Sequence, residues 1–167
     1  MTQRIVIMGV SGSGKSSVGV ALSDRLGIPY LDGDTFHSAA NVRKMQAGEA
    51  LTDADRWPWL DRVAQELASQ APVIIGCSAL RRAYRDRIRA GAGGPVRFVH
   101  LAGSRDLIAS RMAARSGHFM PTSLLDSQFA TLEPPGPDED AATVDIDQRL
   151  DRLVADILRQ MNSRAAD

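Results

Sequence analysis

Cysteine, lysine and net charge are all scarce in this 167-residue chain. A single cysteine, Cys77, rules out an intrachain disulfide and leaves no thiolate set for a metal, which suits a reducing compartment such as the cytoplasm. Twenty basic residues cancel twenty acidic ones. No net field therefore draws the chain to nucleic acid or to an anionic membrane, and neither is expected as a partner. The longest N-terminal apolar run, Ile5 to Met8, stops at a glycine. It is too short for a signal-peptide core and far too short to span a bilayer. Among the basic residues 18 are arginine, and only Lys15 and Lys44 are lysine. A lysine that persists against such a bias needs a task suited to a compact, mobile ammonium rather than a planar guanidinium. What remains is ordinary: 44% apolar and 24% charged residues, the balance of a globular chain. At this length one domain with a true core is the default, burying roughly 70% of the unfolded surface.

Apolar periodicity and turn residues predict strands at Arg4–Met8, Ile28–Leu31, Val73–Ile75, Val96–Leu101 and Thr143–Asp145. Helices are predicted between them. One runs from Lys15 to Leu26 with Gly27 as its C-terminal cap, and one follows a cap at Thr52 or Asp53 and carries Trp57, Leu60, Val63, Ala64 and Leu67 at helical spacing. Others cover Ala79–Ala90, Ser104–Arg115, Thr122–Leu132 and Gln148–Met161, while Glu133–Asp140 reads as a Pro-rich loop. Strands alternating with helices of this length predict a three-layer α/β fold around a mostly parallel five-stranded sheet, with ligands at the C-terminal strand ends.

Gly9-Val10-Ser11-Gly12-Ser13-Gly14-Lys15-Ser16 matches the phosphate-loop pattern GxxxxGK followed by Ser or Thr, and it joins a predicted strand to a predicted helix. The chemistry accounts for each residue type. Glycines let successive N–H groups turn toward a β-phosphate, the helix start adds its positive end, Lys15 reaches the β- and γ-oxygens, and Ser16 ligates Mg²⁺. Gly9, Ser11, Gly12, Ser13, Gly14, Lys15, Ser16 and the adjoining Ser17 are thus the expected ATP-binding set. A guanine-reading Asn-Lys-x-Asp run is missing, which argues against a GTPase. The strand Val73–Ile75 ends in Gly76-Cys77-Ser78 rather than a carboxylate, so the metal carboxylate must come from elsewhere. Asp32-Gly33-Asp34 follows the second strand, which is expected to end beside the phosphate loop. Its two carboxylates can diverge, Asp32 toward the hydrated metal and Asp34 toward an acceptor hydroxyl.

These runs, together with His37 and Asn41, Leu51-Thr52-Asp53-Ala54-Asp55-Arg56, Pro58-Trp59-Leu60, Cys77-Ser78-Ala79-Leu80, Arg115-Ser116-Gly117-His118-Phe119-Met120, Gln128-Phe129 and Val144-Asp145-Ile146-Asp147, resemble the small bacterial-type gluconokinases over nearly the whole chain. One run departs slightly, with Arg81 and Arg82 where lysines are common. The resemblance implies a nucleoside-monophosphate-kinase-like P-loop fold with a helical lid at about 112–125, ATP and Mg²⁺ as cofactors, D-gluconate phosphorylated at its 6-hydroxyl, and a homodimer. Another small-metabolite kinase of the shikimate or nucleotide type, or a silent ATP-binding regulatory protein, are the alternatives. Within this frame Lys15, Asp34 and Arg115 are the expected catalytic residues, with Arg111 on the adenine side of the nucleotide. A polyol carboxylate calls for cations and hydrogen-bonding groups together, for which Asp34, His37, Arg56, Arg81, Arg85 and His118 are the candidates. Trp57, Trp59 and Cys77 are expected to pack.

Overall fold

Five parallel strands carry the molecule: β1 (Arg4–Met8), β2 (Tyr30–Asp32), β3 (Val73–Gly76), β4 (Arg97–Ala102) and β5 (Ala141–Asp145), in the order β2-β3-β1-β4-β5. This computed structural model describes residues 3–114 and 122–165. Helices α1 (Lys15–Leu26), α2 (Ala39–Gln46), α3 (Asp53–Gln70), α4 (Arg82–Gly91), α5 (Arg105–Ala114), α6 (Thr122–Thr131) and α7 (Leu150–Ala165) connect and cover them.

The strand alternation divides the core in two. Ile5, Ile7, Ile74, Val99 and Leu101 face one layer, where Val18 and Leu22 of α1, Ile108 of α5 and Ile157 of α7 pack on them. Val6, Met8, Val73, Ile75 and Phe98 face the other, against Leu60, Val63 and Leu67 of α3 and Ile88 of α4. Both faces of β1 and β3 are therefore covered, which is why these strands read as continuous apolar runs. Each fully buried Ile or Leu contributes about 1.5–3 kcal/mol of transfer free energy.

Local chemistry sets the helix ends. The left-handed Gly27 stops α1, and at α3 Thr52 Oγ1 accepts from Asp55 N–H while Asp55 Oδ2 accepts from Thr52 N–H. Three features differ from the sequence expectation. Helix α2 was not foreseen, because its only buried residue is Asn41 and so it has no apolar stripe; Ser38 caps it by accepting from Asn41 N–H at 3.1 Å. Helix α4 starts at Arg82, not Ala79, since Ala79 has a φ of 45° that no right-handed helix accepts. Strand β2 does not adjoin β1: β3 lies between them. Its aspartates approach the phosphate loop across the tip of β3, and there Gly33 is required, because a Cβ on it would come within 2.3 Å of the Gly76 carbonyl oxygen.

Candidate active site

The loop between β1 and α1 has the geometry of an anion cradle. Gly14 takes a left-handed φ of 98° at the N-terminus of α1, a conformation that points the following N–H groups into the loop. Gly9 N–H donates to the Ser78 carbonyl at 3.2 Å, tying the loop to the end of β3. Ser13 Oγ is buried with no hydrogen-bond partner among the described residues, an orphan group of the kind a bound phosphate satisfies. Lys15 Nζ donates to the carbonyls of Gly9 and Val10, each at 3.0 Å, so the ammonium is parked on its own loop. Burial pulls its pKa below the ordinary value, with the charges of Asp34, Cys77 and Asp32 acting in the other direction. Ser16 and Ser17 stand exposed at the start of α1.

Asp32 ends β2, and Asp34 lies in the 3-10 turn Gly33–Phe36 that follows. One oxygen of Asp32 accepts Asp34 N–H at 2.9 Å, which sets the turn and leaves the second oxygen free of that task. Burial raises the Asp34 pKa; Lys15 opposes this and Asp32 reinforces it. A carboxylate held above its usual range and close to a lysine ammonium is a stronger proton acceptor than a free one. Cys77 lies in the same corner, wholly buried, its thiol pushed up to about 12 by desolvation first and by Asp34 second.

On the other side of the β3 tip, a pocket is lined by His37, Arg56, Trp59, Ser78, Leu124 and Gln128. His37 stacks on Trp59 with ring centroids 4.0 Å apart, and Trp59 Nε1 donates to the Gly33 carbonyl at 2.8 Å, so one indole holds both the aspartate turn and the histidine. Asn41 Nδ2 donates to the Asp55 carbonyl at 2.9 Å and meets His37 Nδ1 at 3.3 Å. An amide nitrogen can only donate, so Nδ1 accepts and the ring proton sits on Nε2. Burial first, and Arg56 second, depress the His37 pKa to about 4. The ring is therefore neutral near pH 7 and presents an N–H. Arg56 Nη1 donates to Tyr84 Oη at 2.9 Å and lies 3.7 Å from Asp53; its other N–H groups have no partner among the described residues. Tyr84 Oη in turn bonds Asp53.

The expected binding arginines separate sharply. Arg56 enters the pocket. Arg81 lies outside its lining, half-exposed, 3.6 Å from Asp53. Arg85 is 0% exposed and is no substrate ligand: its fork grips Glu139 at 2.8 and 3.0 Å, and its Nη1 donates to the Ala79 carbonyl at 2.9 Å. Burial favours the neutral acid at Glu139, but Arg85, Arg89 and the Gly136 N–H outweigh it and hold the carboxyl down at about 2. The Pro-rich segment 133–140 thus buckles the left-handed Ala79 corner in place. Arg111 on α5 donates to the Ile146 carbonyl at 2.7 Å, beside the turn after β5. Arg105 pairs with Asp126. Arg115 and His118, like half of the expected lid, lie outside the described residues.

Two contributors had no assigned role in the sequence reading. Gln128 of α6 accepts from Ser11 N–H at 2.7 Å and donates to Ser11 Oγ at 3.1 Å. Tyr30 spreads its ring over Gly19 and buries its hydroxyl against Gly76; a Cβ at Gly76 would sit 2.3 Å from that oxygen. The sequence signal for Gln128 was membership of a family-like run; Tyr30 stood out only as part of a predicted strand.

A phosphate loop with a carboxylate beside its lysine, next to a pocket lined by a neutral histidine and an arginine, defines the class as a P-loop small-molecule kinase. A sequence profile described as an AAA domain matches residues 5–135. The chain is 43% identical over 163 residues to the gluconokinase of Gluconobacter oxydans (strain 621H), covering 95% of this chain and 91% of that protein. It is 46% identical over 156 residues to the thermoresistant gluconokinase of Escherichia coli (strain K12), covering 90% and 88%. The crystal structure of a gluconokinase from Sinorhizobium meliloti 1021 superposes with a TM-score of 0.92 at 48% identity, covering 98% of this chain and 94% of that one. The chain belongs to the gluconokinase family. Among the described residues no helix is long and apolar enough to cross a membrane.

Proposed function

We propose that this chain transfers the γ-phosphoryl group of ATP to the 6-hydroxyl of D-gluconate, giving 6-phospho-D-gluconate and ADP, in the cytoplasm. The observation that carries the reading is the placement of Asp34 between two half-sites. It is close enough to Lys15 to perturb its titration, and the neighbouring pocket offers both a cation, Arg56, and a neutral donor, His37. A cation with uncommitted N–H groups suits the acceptor's carboxylate, and an Nε2–H suits one of its hydroxyls.

The donor set also fits Mg²⁺. Among the described residues no cluster of three or more His, Cys, Asp or Glu could cage a metal. Magnesium in a kinase needs no such cage, because nucleotide phosphates and water complete its shell around one or two protein oxygens. Ser16 would ligate it directly and Asp32 would hold its water. The chemistry supplied at that position would be neutralisation of charge on the transferring phosphoryl group. Asp34 orients the 6-hydroxyl and takes its proton as the new O–P bond forms, while the γ-phosphorus bond to the bridging oxygen breaks and ADP departs with the electron pair. Lys15 leaves its loop carbonyls to follow the migrating group. Arg111 faces the adenine side of the nucleotide in this reading, Arg115 meets the phosphates and His118 binds the acceptor.

The test is an acceptor panel of gluconate, shikimate and nucleoside monophosphates with ADP release as the readout, and phosphorus NMR of the product. Turnover on gluconate with a phosphomonoester at C6 is expected. Turnover confined to another acceptor, or tight ATP binding with no product from any of them, overturns the reading.

A further inference from the structure

Gln128 belongs to both half-sites. It lines the acceptor pocket with His37 and Arg56, and its carboxamide holds the phosphate loop. Ser11 N–H can donate only to an oxygen, so Oε1 takes that bond at 2.7 Å and Nε2 faces Ser11 Oγ at 3.1 Å. The second N–H of Nε2 has no protein acceptor among the described residues. No other side chain outside the loop makes a hydrogen bond to residues 9–14 among those described; the remaining tie, from Gly9 N–H to the Ser78 carbonyl, is backbone to backbone and cannot change partners by rotating a side chain. Ser11 N–H is one of the loop's own amides, the kind of donor that an anion in the cradle would use. While Gln128 occupies it, it is withheld from phosphate.

We infer that Gln128 is a positioning residue that couples acceptor binding to nucleotide binding. With the pocket empty the carboxamide stays on Ser11. When a polyol enters, its hydroxyls offer the carboxamide new partners, and Ser11 N–H is released to the phosphoryl group. Each ligand then tightens the other by the same factor, as linkage demands. One exchanged neutral hydrogen bond limits that factor to roughly two- to tenfold. A clasp that merely braced α6 against the loop would act the same way whether or not acceptor were present.

The inference rests on gluconate being the acceptor, and the experiment separates the two ideas. Dissociation constants of Mg²⁺ with a non-hydrolysable ATP analogue are measured by calorimetry with and without gluconate, and that of gluconate with and without the analogue. For the unaltered chain both ratios are expected to agree at roughly two- to tenfold. Gln128→Met removes the clasp and keeps the length. Its analogue affinity without gluconate is expected to rise toward the value with gluconate, bringing the ratio near one. Gln128→Glu can still accept from Ser11 N–H and Oγ–H but has no donor to offer; it is expected to keep the loop held and to lose the ratio as well. Ratios of one in the unaltered chain, an unchanged ratio in both variants, or a fall in affinity by the same factor with and without gluconate would each overturn the inference. If gluconate does not bind at all, the acceptor assignment fails instead.

Discussion

The phosphate loop and the acceptor pocket meet across the tip of β3, yet they are built by opposite means. In the loop the working groups are backbone amides, and eight consecutive residues contain nearly everything needed. In the pocket the working groups are side chains, and each is set by another side chain from elsewhere. Asn41 chooses the tautomer of His37, Trp59 supports its ring, and Tyr84 with Asp53 holds Arg56. A loop made of backbone can serve many acceptors. Specificity, and vulnerability to single substitutions far from the chemistry, should concentrate in the pocket.

The sharpest challenge to this division is Asp34, which serves both regions. Asp34→Asn is expected to lower kcat by about 10²–10⁴ while leaving the melting temperature close to that of the parent, as steady-state assays and calorimetry would show. Near-normal turnover would move the proton acceptor elsewhere. Next is the buckle beneath the pocket. Arg85→Leu leaves the Glu139 carboxylate, at about 1% side-chain exposure, held by Arg89 and the Gly136 N–H without the bidentate fork and is expected to cost about 1.5–3 kcal/mol of stability, read by denaturant unfolding. Pairing it with Glu139→Leu should restore part of that loss, since the buried carboxylate that lost its fork is removed while Arg89 gives up a partner. Arg56→Ala probes the pocket alone. It should raise the KM for gluconate about ten- to a hundredfold, the worth of a charge-assisted hydrogen bond, with the KM for ATP within about twofold of the parent. If both constants moved together, the two regions would not be separable.

The remaining effect is electrostatic. His37 and His100 both titrate near 4, against an ordinary 6.5, chiefly because burial disfavours the charged ring. The unfolded chain therefore binds these protons first. Stability is unaffected by them above pH 6.5 and falls as the pH drops toward 4, by at most about 1.4 kcal/mol per pH unit for each ring. Glu139, held at about 2, stays ionised through that window. His100→Gln should flatten the dependence of melting temperature on pH between 4 and 6.5, and an unchanged slope would show that His100 is not the source.

The same contrast explains what the sequence disclosed. Helix α1 begins and ends where expected because Gly14 and Gly27 punctuate it locally. The acidic pair was recognised from its spacing, although its strand lies one place further from β1 than expected, since strand order depends on nonlocal pairing. Arg85 reads as a candidate ligand because arginine in a first helical turn looks the same whether it faces solvent or a buried glutamate 54 residues away. Gln128 acts on a serine 117 residues distant, and no local pattern encodes that contact. His37 and Arg56 were identified as candidates, but the tautomer of one and the tether of the other became visible only in three dimensions.

Cys77 has a consequence beyond packing. It is the chain's one thiol, fully buried at the end of β3, and with a pKa of about 12 only about one molecule in 10⁵ carries a thiolate at pH 7. Alkylating reagents can therefore reach it only in molecules whose strand ends have opened. Its labelling rate is a clock for that opening, wired into the protein without a probe, and substrates that close the two half-sites should slow it.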